Sequence, residues 1–280
     1  MTIAISLKVN DGVVLAADSA STLVIQGQGA PQVVNVYNNA NKIFNLVKGL
    51  PIGVVTYGAG SIDNTSISTL IKDFRRTLTD SDDGEFNPKH YTIHDVADRL
   101  RRFVFDERYP SAFSSWPEKP LLGFIVAGYS SDQPMAEEYK LETVNGNCPD
   151  PQQLYPLEAT GVTWSGEGEA IQRLLMGFGT GLPQVLQDNL GVPGDQVGPA
   201  IEVIKQALGL YILWPAMPLQ DAIDVAEFLV DLTIKTSRFA PGAPTVGGPI
   251  ETAAISKHEG FKWISRKHYY SREYNLEEGP

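Results

Sequence analysis

Apolar and polar positions alternate at the start of the chain. Ile3, Ile5, Leu7 and Val9 are separated by smaller or polar residues, Asn10-Asp11-Gly12 follows, and Val13-Val-Leu-Ala-Ala17 makes a second apolar run. Period-two alternation broken by a Gly-containing turn predicts a β-hairpin. Two registers are open. A loop at Asn10-Asp11 sets Thr2 opposite Ser19, and a loop at Asp11-Gly12 sets it opposite Ser21. Both bring Thr2 close to Asp18, because opposed Cβ atoms lie roughly 4.5–5.5 Å apart.

Further along, a polar, Gly-rich stretch over 22–41 contains a short apolar run, 32–37, that reads as an extra strand. Residues 42–46 and 52–57 read as strands around a Lys48-Gly-Leu-Pro51 turn. The period then changes. Ile67, Leu70, Ile71 and Phe74 stand at i, i+3, i+4 and i+7, which predicts a helix over 62–78. A charged loop, 80–88, separates it from a second helix over 92–109, with Val96, Leu100, Phe103 and Val104 on one side and Thr92-Ile-His-Asp95 as a loose capping box. Strands return at 121–128, 138–142 and 162–164, with a Pro/Gly/Asn-rich loop over 145–158. A third helix is predicted over 169–178, a short one over 196–208 and a long one over 219–238. A strand over 250–255 and a charged, Tyr-rich tail from 257 close the chain. Runs of strands and runs of helices are segregated, which indicates an α+β fold. No internal repeat and no linker-like composition is visible, so one domain over residues 1–280 is expected.

Composition narrows the classes. The 280 residues are 42% hydrophobic with a net charge of −11. That length buries a substantial core. The acidic balance lacks the basic stripes that nucleic acid needs, so no nucleic-acid partner is expected. No stretch reaches 18 apolar residues and the N-terminus has no signal-like pattern, so no membrane partner and a cytoplasmic location are expected. The single cysteine, Cys148, sits among turn formers and reads as a bystander thiol; four scattered histidines offer no metal site, and no cofactor is expected.

The candidate chemistry starts from Thr2 beside Asp18. A Thr hydroxyl is a poor nucleophile until a base takes its proton, and an N-terminal amine on the same residue can be that base. Its free pKa of about 7.7–8.0 lets it accept and return a proton near neutral pH. Met1 blocks such an amine, and Met before a small residue is normally trimmed, so its removal is expected.

Thr2 followed by Asp11-Gly-Val-Val-Leu-Ala-Ala-Asp-Ser19 resembles the opening of proteasome β subunits, the N-terminal-nucleophile hydrolases that include the bacterial ATPase-partnered peptidase rings. The resemblance implies a four-layer αββα sandwich. It identifies Lys42, opening Lys-Ile-Phe-Asn-Leu46, with the active-site Lys of that family, after a longer loop than usual. A cation there keeps the amine neutral and stabilises the alkoxide, and Asp18 keeps the cation charged. Thr56-Tyr-Gly-Ala-Gly-Ser-Ile-Asp63 resembles the family's Gly turn, whose backbone N–H, from Ala59 or Gly60, would bind an oxyanion. Ser165-Gly166 resembles the pair whose Ser bonds the nucleophile's amine; a Ser N-cap is the plainer reading, and both can hold. Thr22 matches a residue whose backbone pairs with substrate, and Ser19 falls in a supporting position.

One departure stands out. The family carries an Asp-x-x-Ser-Gly-Gly run after its last long helix, where this chain has Ala243-Pro-Thr-Val-Gly-Gly248, with Thr245 as a substitute hydroxyl. The resemblance implies a threonine-type peptidase that takes peptide or unfolded protein, assembles as a homo-oligomeric ring, and works with an ATPase partner. The alternatives are an N-terminal-nucleophile amidase on a small substrate and a catalytically silent scaffold subunit. The uncharged stretch 207–217 is a candidate for the subunit interface or for the core.

Overall fold

In a computed structural model that describes residues 2–25, 32–79 and 86–267, the first hairpin forms as the alternation predicts. Strands β1 (Ile3–Val9) and β2 (Gly12–Ala17) pair with Val9 opposite Gly12 and Ala4 opposite Ala17. The loop is therefore Asn10-Asp11, the first of the two registers. Met1 and its expected removal, the Gly-rich residues 26–31, most of the charged loop (80–85) and the tail residues 268–280 lie outside the described residues.

The polar stretch carries a second hairpin, β3 (Ser21–Ile25) with β4 (Gln32–Tyr37), of which only the second strand is visible in the sequence. Next come β5 (Ile43–Asn45), β6 (Ile52–Gly58) and a tiny hairpin, β7 (Ser61–Ile62) with β8 (Thr65–Ser66). Helix α1 (Ile67–Thr79) therefore starts at Ile67, the first residue of its apolar pattern, and not at the expected 62. Helix α2 (Ile93–Arg101) is capped by Thr92, whose side chain accepts from the Asp95 amide. It runs into a π-helical turn, Arg102–Asp106, and then α3 (Tyr109–Ala112). Strands β9 (Leu122–Gly128), β10 (Glu137–Glu142), β11 (Gln152–Gln153) and β12 (Gly161–Gly166) follow, then α4 (Glu169–Met176), α5 (Leu182–Gln184), α6 (Gly194–Leu208) and α7 (Leu219–Phe239). The chain returns to sheet in β13 (Glu251–Ser256) and β14 (Gly260–Ser265). The last strand corrects the expectation of a tail from 257: Phe261 and Trp263 alternate with Lys262 and pack inward.

The strands make two five-stranded antiparallel sheets, ordered β12-β1-β2-β13-β14 and β11-β10-β9-β6-β5. Three apolar clusters show what each face buries. Ile3, Ile5 and Leu7 of the first sheet pack with Ile171 of α4 and Ala226 and Leu229 of α7. The opposite face, Ala4, Val13 and Leu15, meets Val55 and Ile125 of the second sheet. The outer face of that sheet, Val54 and Phe124, packs on Leu70 and Phe74 of α1 and Val96 and Leu100 of α2. Both faces of β1 and β2 are thus covered. Every residue of the two strands is buried, which is why β2 reads as a continuous apolar run.

Two polar side chains of β1 lie on the face turned to the second sheet. Ser6 hydrogen-bonds the Glu138 carboxylate of β10, and Lys8 Nζ donates to the Leu157 carbonyl at 2.8 Å. Burial pushes the Glu138 carboxyl up to about 7, against the opposing pull of Ser6 and Lys8, and it pulls the Lys8 ammonium down. The stretch 207–217 divides: Ile212, Leu213 and Met217 pack against the first sheet's helix side, while Leu208, Tyr211 and Trp214 are exposed.

Candidate active site

The hairpin register sets Thr2 one step before β1 begins, at the end where β2 hands over to Asp18. There the side chains converge. Thr2 Oγ1 donates to Asp18 Oδ1 at 3.0 Å, and Lys42 Nζ stands 2.5 Å from the same oxygen and contacts Thr2 Oγ1 as well. All three are buried; Asp18 has no exposed surface. A carboxylate in such a place needs compensating donors. It has them: the Ile3 amide on Oδ1, and the Ala20 and Gly247 amides on Oδ2, each at 3.0 Å. Lys42 immediately precedes β5, and its carbonyl accepts the Thr56 amide at 2.9 Å. Burial pulls the Lys42 ammonium below its ordinary pKa, while the charge and hydrogen bond of Asp18 oppose that shift.

The backbone of Thr2 is held from the other side. Its carbonyl accepts from the Glu167 amide at 2.7 Å, and Gly166, paired with Ile3, presses against it at φ +96°. A Cβ on Gly166 would lie 1.9 Å from that carbonyl oxygen, so only glycine fits. Ser165 precedes this contact, opposite Ala4, as a residue of β12; this corrects the N-cap reading, because the N-cap of α4 is Gly168, three residues further on. Ser165 Oγ is buried with no partner in hydrogen-bonding geometry among the described residues, although it is near enough to the Tyr57 hydroxyl to temper the rise in that group's pKa. That rise comes first from burial, then from Glu142, which accepts the Tyr57 hydroxyl at 2.8 Å.

The two candidate oxyanion donors separate. The Ala59 amide donates to the Leu121 carbonyl at 2.8 Å, whereas the Gly60 amide has no partner among the described residues. Both residues line a cavity of about 490 Å³ whose floor holds Thr2 and Lys42. Its walls are hydroxyl- and amide-rich: Thr22, Asn39, Asn41 and Ser68 line it.

The loop after α7 reaches the site through its backbone. Gly247's amide holds Asp18, and its carbonyl accepts the Ser19 amide at 2.9 Å. Thr245 Oγ1 is buried and has no partner among the described residues, so it makes no hydrogen bond to Thr2 or Ser165. Val246 packs into the apolar cluster of the first sheet. Ser19 Oγ donates to the Pro249 carbonyl at 2.5 Å and receives Lys267 Nζ at 2.6 Å. Sequence reasoning missed Lys267, Glu251 and the Gly247 amide. Lys267 pairs with Glu251 at 3.0 Å and also donates to the Ala40 carbonyl at 2.7 Å. Burial lowers its pKa, with Glu251 and then Asp18 pulling it back up, and its charge in turn lowers that of Lys42. Cys148 is free, and burial pushes its thiol up to about 11. Among the described residues no cluster of His, Cys, Asp and Glu could hold a metal ion, and no helix is long and apolar enough to cross a membrane.

No family model matches the chain, and neither does any curated protein. Solved structures do. A helical assembly of the Anbu complex from Pseudomonas aeruginosa superposes with a TM-score of 0.52 at 15% identity, over 96% of this chain and 88% of that one. The chain folds like Anbu. An Anbu (Gly-1) mutant from Hyphomicrobium sp. strain MC1 gives a TM-score of 0.50 at 14% identity, over 95% of this chain and 86% of that one. This corrects the family expectation: Anbu is a family distinct from the proteasome β subunits, and at such identity the likeness to Anbu is one of fold alone. The motifs at Thr2–Ser19, Lys42, 56–63 and Ser165-Gly166 record local needs: a hairpin, a buried ion pair, a tight turn and a close backbone approach. Local features of this kind do not by themselves assign a family.

Proposed function

We propose that the protein is an N-terminal-nucleophile hydrolase of the Anbu-like fold, a threonine-type peptidase with Thr2 as nucleophile once Met1 is removed. In this reading the layers make a four-layer αββα sandwich in a single domain. One observation carries it: the Thr2 hydroxyl contacts both Asp18 and Lys42, and Thr2 and Lys42 line a cavity of about 490 Å³.

The chemistry follows from the groups at hand. The freed amine of Thr2 takes the hydroxyl proton as Oγ1 attacks the scissile carbonyl. Lys42 stabilises the alkoxide, and its closeness keeps the amine neutral. The carbonyl oxygen, now negative, moves to the Gly60 amide. As the C–N bond breaks, the protonated amine gives its proton to the departing nitrogen, leaving a Thr2 ester that water then hydrolyses. Ser165 orients the amine and Thr22 aligns the substrate backbone. The protein self-associates, as the Anbu complex named above does in its helical assembly; exposed Leu208, Tyr211 and Trp214 beside α6 support this.

A silent scaffold competes, because Ala243 and buried Val246 occupy the places where the resemblance calls for Asp and Ser. Turnover of fluorogenic peptide amides by protein with a verified Thr2 N-terminus separates the two. The hydrolase reading expects activity that Thr2→Ala abolishes with the melting temperature unchanged; equal turnover by both proteins refutes it.

A further inference from the structure

The turn that lines the Thr2 cavity has a second side. Beyond Ala59 and Gly60 lies another cavity, of about 240 Å³, which those two residues also line. Its far wall is aromatic: Phe113 and Trp116 meet edge to face, with ring centroids 5.3 Å apart, and Pro120 completes it. Phe113 is buried, whereas Trp116 is 45% exposed. The rim carries one charge, Asp63. That residue sits at φ +48° in the turn between β7 and β8, and it forms no ion pair among the described residues. Arg108, which lines a neighbouring cavity together with Asp63, is engaged elsewhere, and so is Lys119. Arg108 pairs with Glu107 at 2.8 Å and stacks on Phe103, and Lys119 donates to the carbonyls of Phe113 and Ser114.

An exposed indole beside an unpaired carboxylate is a site for a cation with an alkyl stem. The ring quadrupole attracts the charge, the carboxylate accepts its hydrogen bonds, and the apolar wall covers the stem. We infer that this cavity is a second substrate subsite, which receives an arginine or lysine side chain of the peptide whose scissile bond lies over Thr2. The inference rests on the proposed hydrolase reading for its substrate class, and on the shared Ala59–Gly60 turn for its continuity with the reacting cleft. An extended chain advances roughly 3.3–3.6 Å per residue, so one position of a peptide crossing the turn faces the subsite.

The test scans a single arginine along uncharged hexapeptides, with citrulline as the neutral isostere. Affinity is measured by calorimetry on the Thr2→Ala protein, and cleavage is followed separately on the unaltered protein. Arginine should bind about fivefold tighter than citrulline at one position and equally elsewhere. Asp63→Asn, which tolerates the positive φ, should remove that preference, and Trp116→Leu should reduce it; thermal melts confirm both fold. Equal binding of arginine and citrulline at every position, or no peptide binding, overturns the subsite. So does protection of Trp116 from hydroxyl-radical footprinting by self-association in place of peptide, which would give the face to a second copy of the chain. An arginine preference without cleavage upholds the subsite and sinks the hydrolase; cleavage without a preference does the reverse.

Discussion

Replacing Gly166 by alanine removes no functional group, yet it should disable the site. An alanine Cβ would lie 1.9 Å from the Thr2 carbonyl oxygen, below the 3.0 Å that real Cβ atoms respect, so one of the two must retreat by at least the difference, 3.0 − 1.9 = 1.1 Å. The φ of +96° adds strain of its own, since L-residues with a side chain lose roughly 1–2 kcal/mol on the left-handed side. The Glu167 amide bond to that carbonyl, 2.7 Å long, holds it in place, so the movement falls on Thr2 itself or breaks this bond. A displacement of about 1 Å at a reacting atom is worth about 10²-fold in rate, and overpacking of this kind typically costs about 1–3 kcal/mol in stability.

The assay is kcat/KM on a fluorogenic peptide amide, with thermal melting in parallel and the mature N-terminus verified by mass. Gly166→Ala should lower kcat/KM by about 10²-fold and lower Tm. Gly181→Ala is the control: its φ is −76° and nothing lies within 4 Å of its Cβ position, so rate and stability should stay within error or improve slightly. A folded Gly166→Ala protein with kcat/KM within about threefold of the unaltered one would refute the argument that this contact positions the nucleophile.

Three further outcomes follow from the same geometry. Lys42→Met should lower kcat by about 10²–10⁴-fold and lower Tm, because Asp18 is left buried without its cation; retention of most activity contradicts the assigned role. Lys267→Met removes a positive charge that depresses Lys42 and, in the proposed mechanism, the nearby amine, so the acid limb of the pH–rate profile should move to higher pH; an unmoved limb means that Lys267 is only structural. Glu138 is a carboxyl raised from 4.5 to about 7, so its contribution to stability is complete below pH 4.5 and falls away as pH rises towards 7, by about 3 kcal/mol in all. Glu138→Gln should flatten the loss of stability measured by urea unfolding between pH 5 and 7.5, and an unchanged slope would show that the carboxyl is not held neutral.

What could be read from the sequence was local. The β1–β2 hairpin and its closeness to Asp18 follow from alternation around Asn10-Asp11, and the helix over Ile67–Thr79 from its apolar spacing. The four-residue capping signal at Thr92 also holds. The misses have physical causes. β3 is short and joins a Gly-rich stretch, so its alternation has no length to show. β14 hides because Lys262 and Ser265 make a half-buried strand look like a charged tail. The π-helical turn at Arg102–Asp106 keeps a helical pattern and leaves no trace in periodicity. In the site, Thr2, Asp18, Lys42 and the Gly turn stand within the first sixty residues, but the rest of the support for Asp18 arrives from far away. Gly247 acts through an amide that every residue but proline possesses, and Lys267 reaches Ser19 across a separation of 248 residues. Neither backbone donors nor such distant partners can be read from spacing. The family expectation erred for a related reason: short motifs report local geometry, and local geometry does not assign a family.

The central claim is that Thr2 presents a nucleophilic hydroxyl and a free amine together, and one measurement addresses both. A peptide epoxyketone needs the two groups at once: the hydroxyl adds to the ketone, and the amine then opens the epoxide to close a ring. Intact-mass and N-terminal peptide mass spectra, taken after incubation with such a probe, should show a single adduct on a peptide that begins at Thr2. The adduct should be absent from Thr2→Ala protein and from any fraction that retains Met1. Protein with a verified Thr2 N-terminus that stays unmodified, or that is labelled equally well after Thr2→Ala, would contradict the account.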